Sequence, residues 1–486
     1  MREENSNAFI WSTLNNFSKL LFTFITPIVL ARLLGPEAFG LIAMAFVLVG
    51  LSQIFIDFGS SEAIVKSKSI TPKFLSTLFW FNLSICILVF CIVLALTPLI
   101  ANFFDREQLR ILIPALSFGM FFQVLCIVPT SLFKREKNFK SLTISEFISR
   151  AVSSVLAIMS AIYGAEVYSL VVLSVTQSLI FSILIRFQSK SSIKTYFSLK
   201  YIRLVFSFTA SLFYIKVINH FERQSDRLFI GPDFGDFLLG VYSRGQAFQK
   251  AIQRFITGSF NPVFFSVITR ENSYSYLESS LRQSYQGLFL LMYPLFLYFS
   301  FCSEDLVLFL LGGEWKFMSN LLPYFACLFL VRPFQKVNQE IIKAKGNMFF
   351  LVKCFSIFIP LLITSYFFIP KELGLTAYIL AYIFISLLFL LTSIHYVKQL
   401  LQLKRFYFME LFFSFLLRIT LLTLVAFISR NYLFTNDFYL LNLIIFGLLQ
   451  IVTLFLVQRI HFMEAQLKLE GLIYKLVKKS RSLMIS

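Results

Sequence analysis

The sequence predicts an all-α polytopic membrane protein of about fourteen transmembrane helices, two six-helix bundles in parallel repeat plus two accessory helices. Three observations lead there. The 486-residue chain is 58% hydrophobic and 14% charged, with mean hydropathy +0.78, so its apolar side chains exceed what a water-surrounded core can bury. Apolar runs of about 20 residues, the length that crosses a bilayer, recur from Ala8 almost to Gln458. Lysines and arginines crowd into every second loop.

Taken in order, the runs place spans near 8–33, 39–65, 74–101, 109–133, 143–163 and 167–186, then near 201–230, 237–267, 283–303, 319–342, 348–369 and 374–397, with two more near 407–430 and 438–458. The expected units are therefore 1–200 and 201–398 as six-helix bundles, 399–460 as two accessory helices, and 461–486 as a tail. In that tail Leu469, Leu472, Ile473 and Leu476 alternate with Lys468, Lys475, Lys478 and Lys479, the pattern of a basic amphipathic helix lying on the inner leaflet. The first run lacks a basic leader and a cleavage site and contains Lys19, so it reads as a retained span.

Orientation follows from the basic loops, which stay cytoplasmic. Lys66, Lys68 and Lys73, then Lys134, Arg135, Lys137 and Lys140, then Arg186 to Arg203, and later Lys343, Lys345, Lys398 and Lys404 fall on one side. The other side holds only Arg32, Arg106, Arg110, Arg227, Lys316, Lys371 and Arg430. Both termini are expected in the cytoplasm. The formal charge of +19 is thus topogenic, and nucleic acid is not an expected partner. All six cysteines lie inside apolar runs without metal-ligand spacing, so no metal, disulfide framework or cofactor is expected.

The chain also repeats. Arg32-Leu33-Leu34-Gly35-Pro36 ends the first span and Arg227-Leu228-Phe229-Ile230-Gly231-Pro232 the seventh, at offsets of 195 and 196 residues. Gly followed by Pro stops a helix, because Gly accepts the left-handed cap and Pro cannot extend the turn. Gly59-Ser60 near the end of span 2 answers Gly258-Ser259 near the end of span 8. An offset of six spans preserves orientation and predicts parallel repeats about an axis along the membrane normal, with a binding cavity between the halves.

These residues and several later ones resemble the polysaccharide transporter (Wzx-type flippase) family of the multidrug, oligosaccharidyl-lipid and polysaccharide exporter superfamily. Leu30-Ala31-Arg32-Leu33-Leu34-Gly35-Pro36-Glu37-Ala38-Phe39-Gly40 is similar to the family's first hairpin, and Asp57-Phe58-Gly59 to the end of its second span. Ser76 to Asn82, Lys134 to Phe139, Tyr168 to Val171, and Asp226 to Gly231 with Leu239-Gly240-Val241-Tyr242-Ser243 are similar to successive family signatures, so the resemblance covers about residues 8 to 350. Arg227 and Pro232 depart from the pattern. The resemblance implies transfer of an isoprenoid (undecaprenyl type) pyrophosphate-linked oligosaccharide from the cytoplasmic to the outer leaflet of the bacterial inner membrane, without a covalent step. Implied partners are that lipid-linked oligosaccharide, membrane lipids, and a polysaccharide polymerase with glycosyltransferases.

Cations inside spans cost about 2.5 to 3.5 kcal/mol each on insertion scales, so they should meet water, protein or ligand. On span 1, Asn15, Asn16, Lys19 and Thr23 share one stripe; on span 7, Lys216, His220 and Arg223 do. Gln246 and Lys250 on span 8, and Arg332 and Lys336 on span 10, complete a cationic cavity suited to phosphate oxygens. Arg150 reads instead as the partner of Glu146 one turn away, Lys353 as an interfacial anchor, and His220 as a hydrogen-bonding group. Asp57 and Arg254, at matching depth in spans 2 and 8, are expected to form a cytoplasmic gate, against the alternative that Asp57 caps local backbone and Arg254 reaches lipid phosphate.

Three rivals follow. A drug or cation exporter of the same superfamily needs an acidic cavity, whereas here Asp57, Glu222, Asp226 and Glu340 face a larger number of cations. A peptidoglycan lipid-precursor flippase shares the cationic cavity, but the motifs favour the polysaccharide branch. An integral-membrane glycosyltransferase needs catalytic carboxylates on an outer loop, and Glu304, Asp305 and Glu314 have no partner set in sequence.

Overall fold

A computed structural model describes the backbone of residues 2–67, 70–189, 193–270, 274–404, 407–432 and 439–453. The tail 461–486 and the side-chain surroundings of Gly258-Ser259 lie outside the described residues. The described chain is helical, with no strand among the described residues.

Helix α1 (Arg2–Asp57) has 56 residues, which at 1.5 Å per residue is about 84 Å and more than twice the bilayer core. It is broken at Gly35, whose φ of 69° and ψ of 176° suit a residue without Cβ. Pro36 then starts the second arm, where a missing N–H costs nothing. Phe58 and Gly59, both at positive φ, separate α1 from the short α2 (Ser60–Lys66). Helix α3 (Pro72–Phe104) begins at a Thr71 cap whose hydroxyl accepts from the Phe74 N–H. It is followed by α4 (Leu109–Arg135), α5 (Phe139–Ile162), capped by Asn138, and α6 (Tyr168–Gln188).

The second half opens with α7 (Leu199–Arg270), 72 residues broken at Gly235 with φ 77° and ψ −178°. Next come α8 (Tyr274–Phe301), bent by 79° into α9 (Ser303–Leu310), and α10 (Lys316–Cys327), joined to α11 (Arg332–Ala344) by a single 3-10 turn. Helices α12 (Met348–Phe368), α13 (Gly374–Leu400), α14 (Tyr407–Tyr432) and α15 (Tyr439–Thr453) complete the described chain. With α1 and α7 each divided at its glycine, and α8–α9 and α10–α11 each taken as one pass, the architecture is about fourteen passes, as expected. Eight of the described helical segments are long and apolar enough to cross on their own, or nine with the bent α8–α9 pair. Leu88, Leu99, Ile162, Phe367 and Ile451 are exposed on the outer faces, as lipid contact requires.

The repeat holds with a corrected register. The break in α7 is at Gly235, while Gly231 and Pro232 continue the helix, so the offset from Gly35 is 200 rather than 196. Proline is tolerated inside membrane helices because packing and local adjustments satisfy the freed carbonyl, so Gly-Pro is no reliable stop there. The same register pairs Gly40 with Gly240, and the two are used alike. A Cβ on Gly40 would lie 1.9 Å from the Asp236 carbonyl oxygen, and one on Gly240 would lie 1.9 Å from that of Pro36. The second arms of α1 and α7 thus cross backbone to backbone near the Gly35 end.

Contacts between halves exist at both ends. At the Gly35 end, Arg106 of the α3–α4 loop binds Asp236 with both Nε and Nη2 at 3.0 Å, Arg32 donates to the Leu310 carbonyl, and buried Trp315 donates to Ala31. Burial pushes the Asp236 carboxyl up, but the bonds from Arg106 outweigh it and hold the carboxyl below its usual range. At the Gly59 end, Thr209 donates to the Phe58 carbonyl and Lys216 bridges Asp57 and Glu62. The accessory helices are tied on through Asp305, which accepts from Arg430 and Asn442.

Candidate functional site: a cationic cavity

The two arms of α7, with α11, α12 and α13, enclose a cavity of about 410 Å³. The first arm contributes Asn219, Glu222 and Arg223; the second contributes Gln249, Lys250, Gln253 and Arg254. Helix α11 adds Arg332, Gln335, Lys336, Gln339 and Lys343, α13 adds Tyr382, and α12 forms an apolar floor from Met348, Leu351, Val352 and Phe355. Helical periodicity makes the arrangement. Lys250 and Arg254 are one turn apart, as are Arg332 and Lys336, so two rows of cations line the space.

Among the described residues, six basic side chains line this wall against one carboxylate, Glu222. Glu222 is held by Arg332 at 2.6 Å, and the Tyr382 ring stacks under the same guanidinium at 4.7 Å. Just behind, Glu340 is shared between Lys336 at 3.0 Å and Lys343 at 3.1 Å. Arg254 donates to the Lys250 carbonyl at 3.2 Å. Arg223 and Lys250 have no carboxylate partner among the described residues.

Of the residues expected in the cavity, Arg223, Lys250, Arg332 and Lys336 line it, and Arg254 joins them. The others are elsewhere. Lys19 pairs with Glu146 at 2.9 Å inside the N-terminal half, where Arg150 meets the same carboxylate as expected. Asn15 and Asn16 share that helix and line none of the cavities described, and Asn15 Oδ1 is buried without a hydrogen-bond partner. His220 contacts the Val47 carbonyl at 3.1 Å, matching its expected hydrogen-bonding role. Gln246 donates to buried Asp226 at 2.7 Å, beside the Tyr242 hydroxyl at 2.6 Å, next to the cavity but not in its wall.

Lys216 is engaged by Asp57 at 2.9 Å and Glu62 at 3.0 Å at the Gly59 end. Asp57 therefore has an inter-half partner, but it is not Arg254. The expected Asp57 to Arg254 pair is absent among the described contacts, because in the corrected register Asp57 answers Thr257 and Arg254 answers Ile54. The cavity consequently sits within the C-terminal half rather than between the halves.

Two other cavities differ in character. One of about 300 Å³ in the N-terminal half is lined by Ser61, Gln123, Thr130, Glu146, Arg150 and Gln177, among others. One of about 650 Å³ at the Gly35 end is lined by Glu37, Glu166, Asp236 and Glu314 together with neutral residues. Among the described residues no group of three or more His, Cys, Asp or Glu is placed to hold a metal ion. Tyr382 was missed from sequence; it lies within an apolar run with no charged residue within two turns to mark it.

Residues 29–320 match the profile of a family described as polysaccharide biosynthesis protein. The succinoglycan biosynthesis transport protein ExoT of Rhizobium meliloti is 23% identical over 316 residues, covering 63% of this chain and 62% of ExoT. The teichuronic acid biosynthesis protein TuaB of Bacillus subtilis is 24% identical over 307 residues, covering 61% of this chain and 62% of TuaB. The chain thus spans somewhat under two thirds of the length of these curated relatives. The solved structure of lipid II flippase MurJ in an inward closed conformation aligns with TM-score 0.71 at 16% identity, over 93% of this chain and 100% of that one. That likeness is one of fold.

Proposed function

The chain belongs to the polysaccharide biosynthesis protein family, and from that premise we propose that it is a Wzx-type flippase for an isoprenoid pyrophosphate-linked oligosaccharide. The observation that carries this reading is the pair Arg223 and Lys250, cations at membrane depth that face a polar cavity and make no salt bridge to a carboxylate among the described residues. Each would cost about 2.5 to 3.5 kcal/mol without an anion or water, and a ligand bringing negative charge removes that penalty. Rows of cations about 5 to 6 Å apart suit two linked phosphates, with Arg supplying a fork and Lys a mobile point charge. Asn219, Gln249, Gln253 and Gln339 offer amides to sugar hydroxyls. An exporter of organic cations would face repulsion from the same wall.

Transport requires the inter-half contacts at the two ends to open in turn. The basic loops at the Gly59 end favour the cytoplasm for that end and for both termini, which supports entry of the cargo from the inner leaflet. Lys216 with Asp57 and Glu62 is the cytoplasmic latch in this reading, and Arg106 with Asp236 the outer one. The cargo is made by membrane-associated glycosyltransferases and passed to a polymerase, with no covalent change on this chain. The test is leaflet transfer in proteoliposomes of the full chain, using a fluorescent lipid-linked oligosaccharide. Time-dependent transfer with the pyrophosphate bond intact is expected. Absence of transfer by folded protein, or cleavage of the lipid, would overturn the reading.

A further inference from the structure

Glu222 has no place in a cavity that merely collects phosphate. It is the single carboxylate among the described residues of the cavity wall, its side chain 17% exposed, and it occupies the guanidinium of Arg332 that an incoming phosphate would seek. Lys250 and Arg223 lie within electrostatic reach of the same carboxylate, yet neither is bonded to it. The Tyr382 hydroxyl adds a second contact at 3.4 Å, so the carboxylate is held in place rather than loose.

The consequence depends on how many charges a ligand brings. A lipid with one phosphodiester charge has two ways to bind. It can displace Glu222 from Arg332, which exchanges one anion for another and leaves a buried carboxylate unpaired beside it. Otherwise it can settle on Arg223 and Lys250, close to the negative charge of Glu222. Both routes are penalised. A pyrophosphate diester brings two charges, so one phosphate can engage Arg332 while the other engages the cations that lack carboxylate partners, and the second interaction offsets the displacement. The membrane is filled with single-charge phosphodiesters, the ordinary phospholipids, and a purely cationic cavity would bind them.

Resting on the flippase reading above, we propose that Glu222 is a specificity-determining residue that rejects single phosphodiesters and so reserves the cavity for pyrophosphate-linked lipids. This is discrimination by a built-in repulsive group rather than by added attraction. A neutral residue at position 222 would strengthen phosphodiester binding more than pyrophosphate binding.

The test uses the full chain in detergent and two soluble probes that share one sugar and one short prenyl chain, joined by a diphosphate in one and a monophosphate in the other. Direct titration gives both affinities. The wild type is expected to prefer the diphosphate by at least about tenfold. In Glu222→Gln the monophosphate probe should bind about tenfold more tightly and the preference should collapse. The double variant Glu222→Gln/Arg332→Gln keeps the net charge of the cavity and creates no new unpaired charge to unsettle folding. It should lose the preference as well, whereas it would retain it if net charge alone decided. Lys336→Gln should weaken both probes by similar factors. A preference that survives in both Glu222 variants overturns the proposal. Failure of the wild type to bind either probe would instead count against the flippase reading itself.

Discussion

Lys216 bonds two carboxylates at once, and the three side chains are a quarter to a third exposed, Asp57 at 25%, Lys216 at 34% and Glu62 at 35%. Ion pairs this wet contribute little to folding stability, since water screens them. Their effect is on the balance between conformations, because Asp57 and Glu62 belong to the first half and Lys216 to the second. Lys216→Gln is therefore expected to leave thermal stability nearly unchanged while loosening the Gly59 end. The measure is cross-linking between cysteines placed at Phe58 and Thr209, which meet in the closed end. Yield should fall several-fold in Lys216→Gln and recover in part in the swap Asp57→Lys/Lys216→Asp; equal yield in all three would remove the latch. At this scale the cavity was legible where polar residues recur on one helix face, as with Lys250 and Arg254 or Arg332 and Lys336. Lys19 and Lys216 were misread because their carboxylates, Glu146 and Asp57 with Glu62, come from elements remote in sequence. Helical spacing shows which face a cation shares and says nothing about what packs against that face.

The crossing of α1 and α7 is the element that joins the halves, and it rests on two glycines. A methyl at either site would meet a carbonyl of the opposing helix start at 1.9 Å, and backbone cannot yield as a flexible side chain can. Gly40→Ala and Gly240→Ala should each destabilise by about 1 to 3 kcal/mol, the usual range for overpacking. Because the sites are related by the repeat, the two losses should be similar, as read from melting of detergent-solubilised protein. A loss at one site and none at the other would contradict the symmetric crossing. The repeat itself was visible in sequence, but its register was not. Gly231-Pro232 imitates the Gly35-Pro36 stop, whereas the break follows Gly235-Asp236, which carries no proline. The better signal was Phe39-Gly40-Leu41 against Leu239-Gly240-Val241, small residues set between large ones at an offset of 200.

On the scale of the molecule, composition and the length of the apolar runs were sufficient for the all-α, polytopic class, since only helices and closed barrels satisfy backbone polar groups in lipid and runs of about 20 apolar residues fit helices. The location of the cavity was not, because it depends on how the arms of α7 splay after Gly235 and enclose space against α11 and α13. Symmetry suggested a site shared by both halves. The structure instead gathers the cavity cations into the second half, while in the first Lys19 and Arg150 are both paired with Glu146. This asymmetry is the central claim about function, and it separates variants that an equal division would treat alike. The most direct measurement is the affinity of the full chain for a short-chain prenyl diphosphate sugar in three forms: wild type, Arg223→Gln/Lys250→Gln, and Lys19→Gln. The account expects the double variant to lose about a hundredfold or more, taking each charge-assisted contact at about 1.5 kcal/mol, and Lys19→Gln to stay near wild type. A loss confined to Lys19→Gln, with the double variant binding normally, would contradict it.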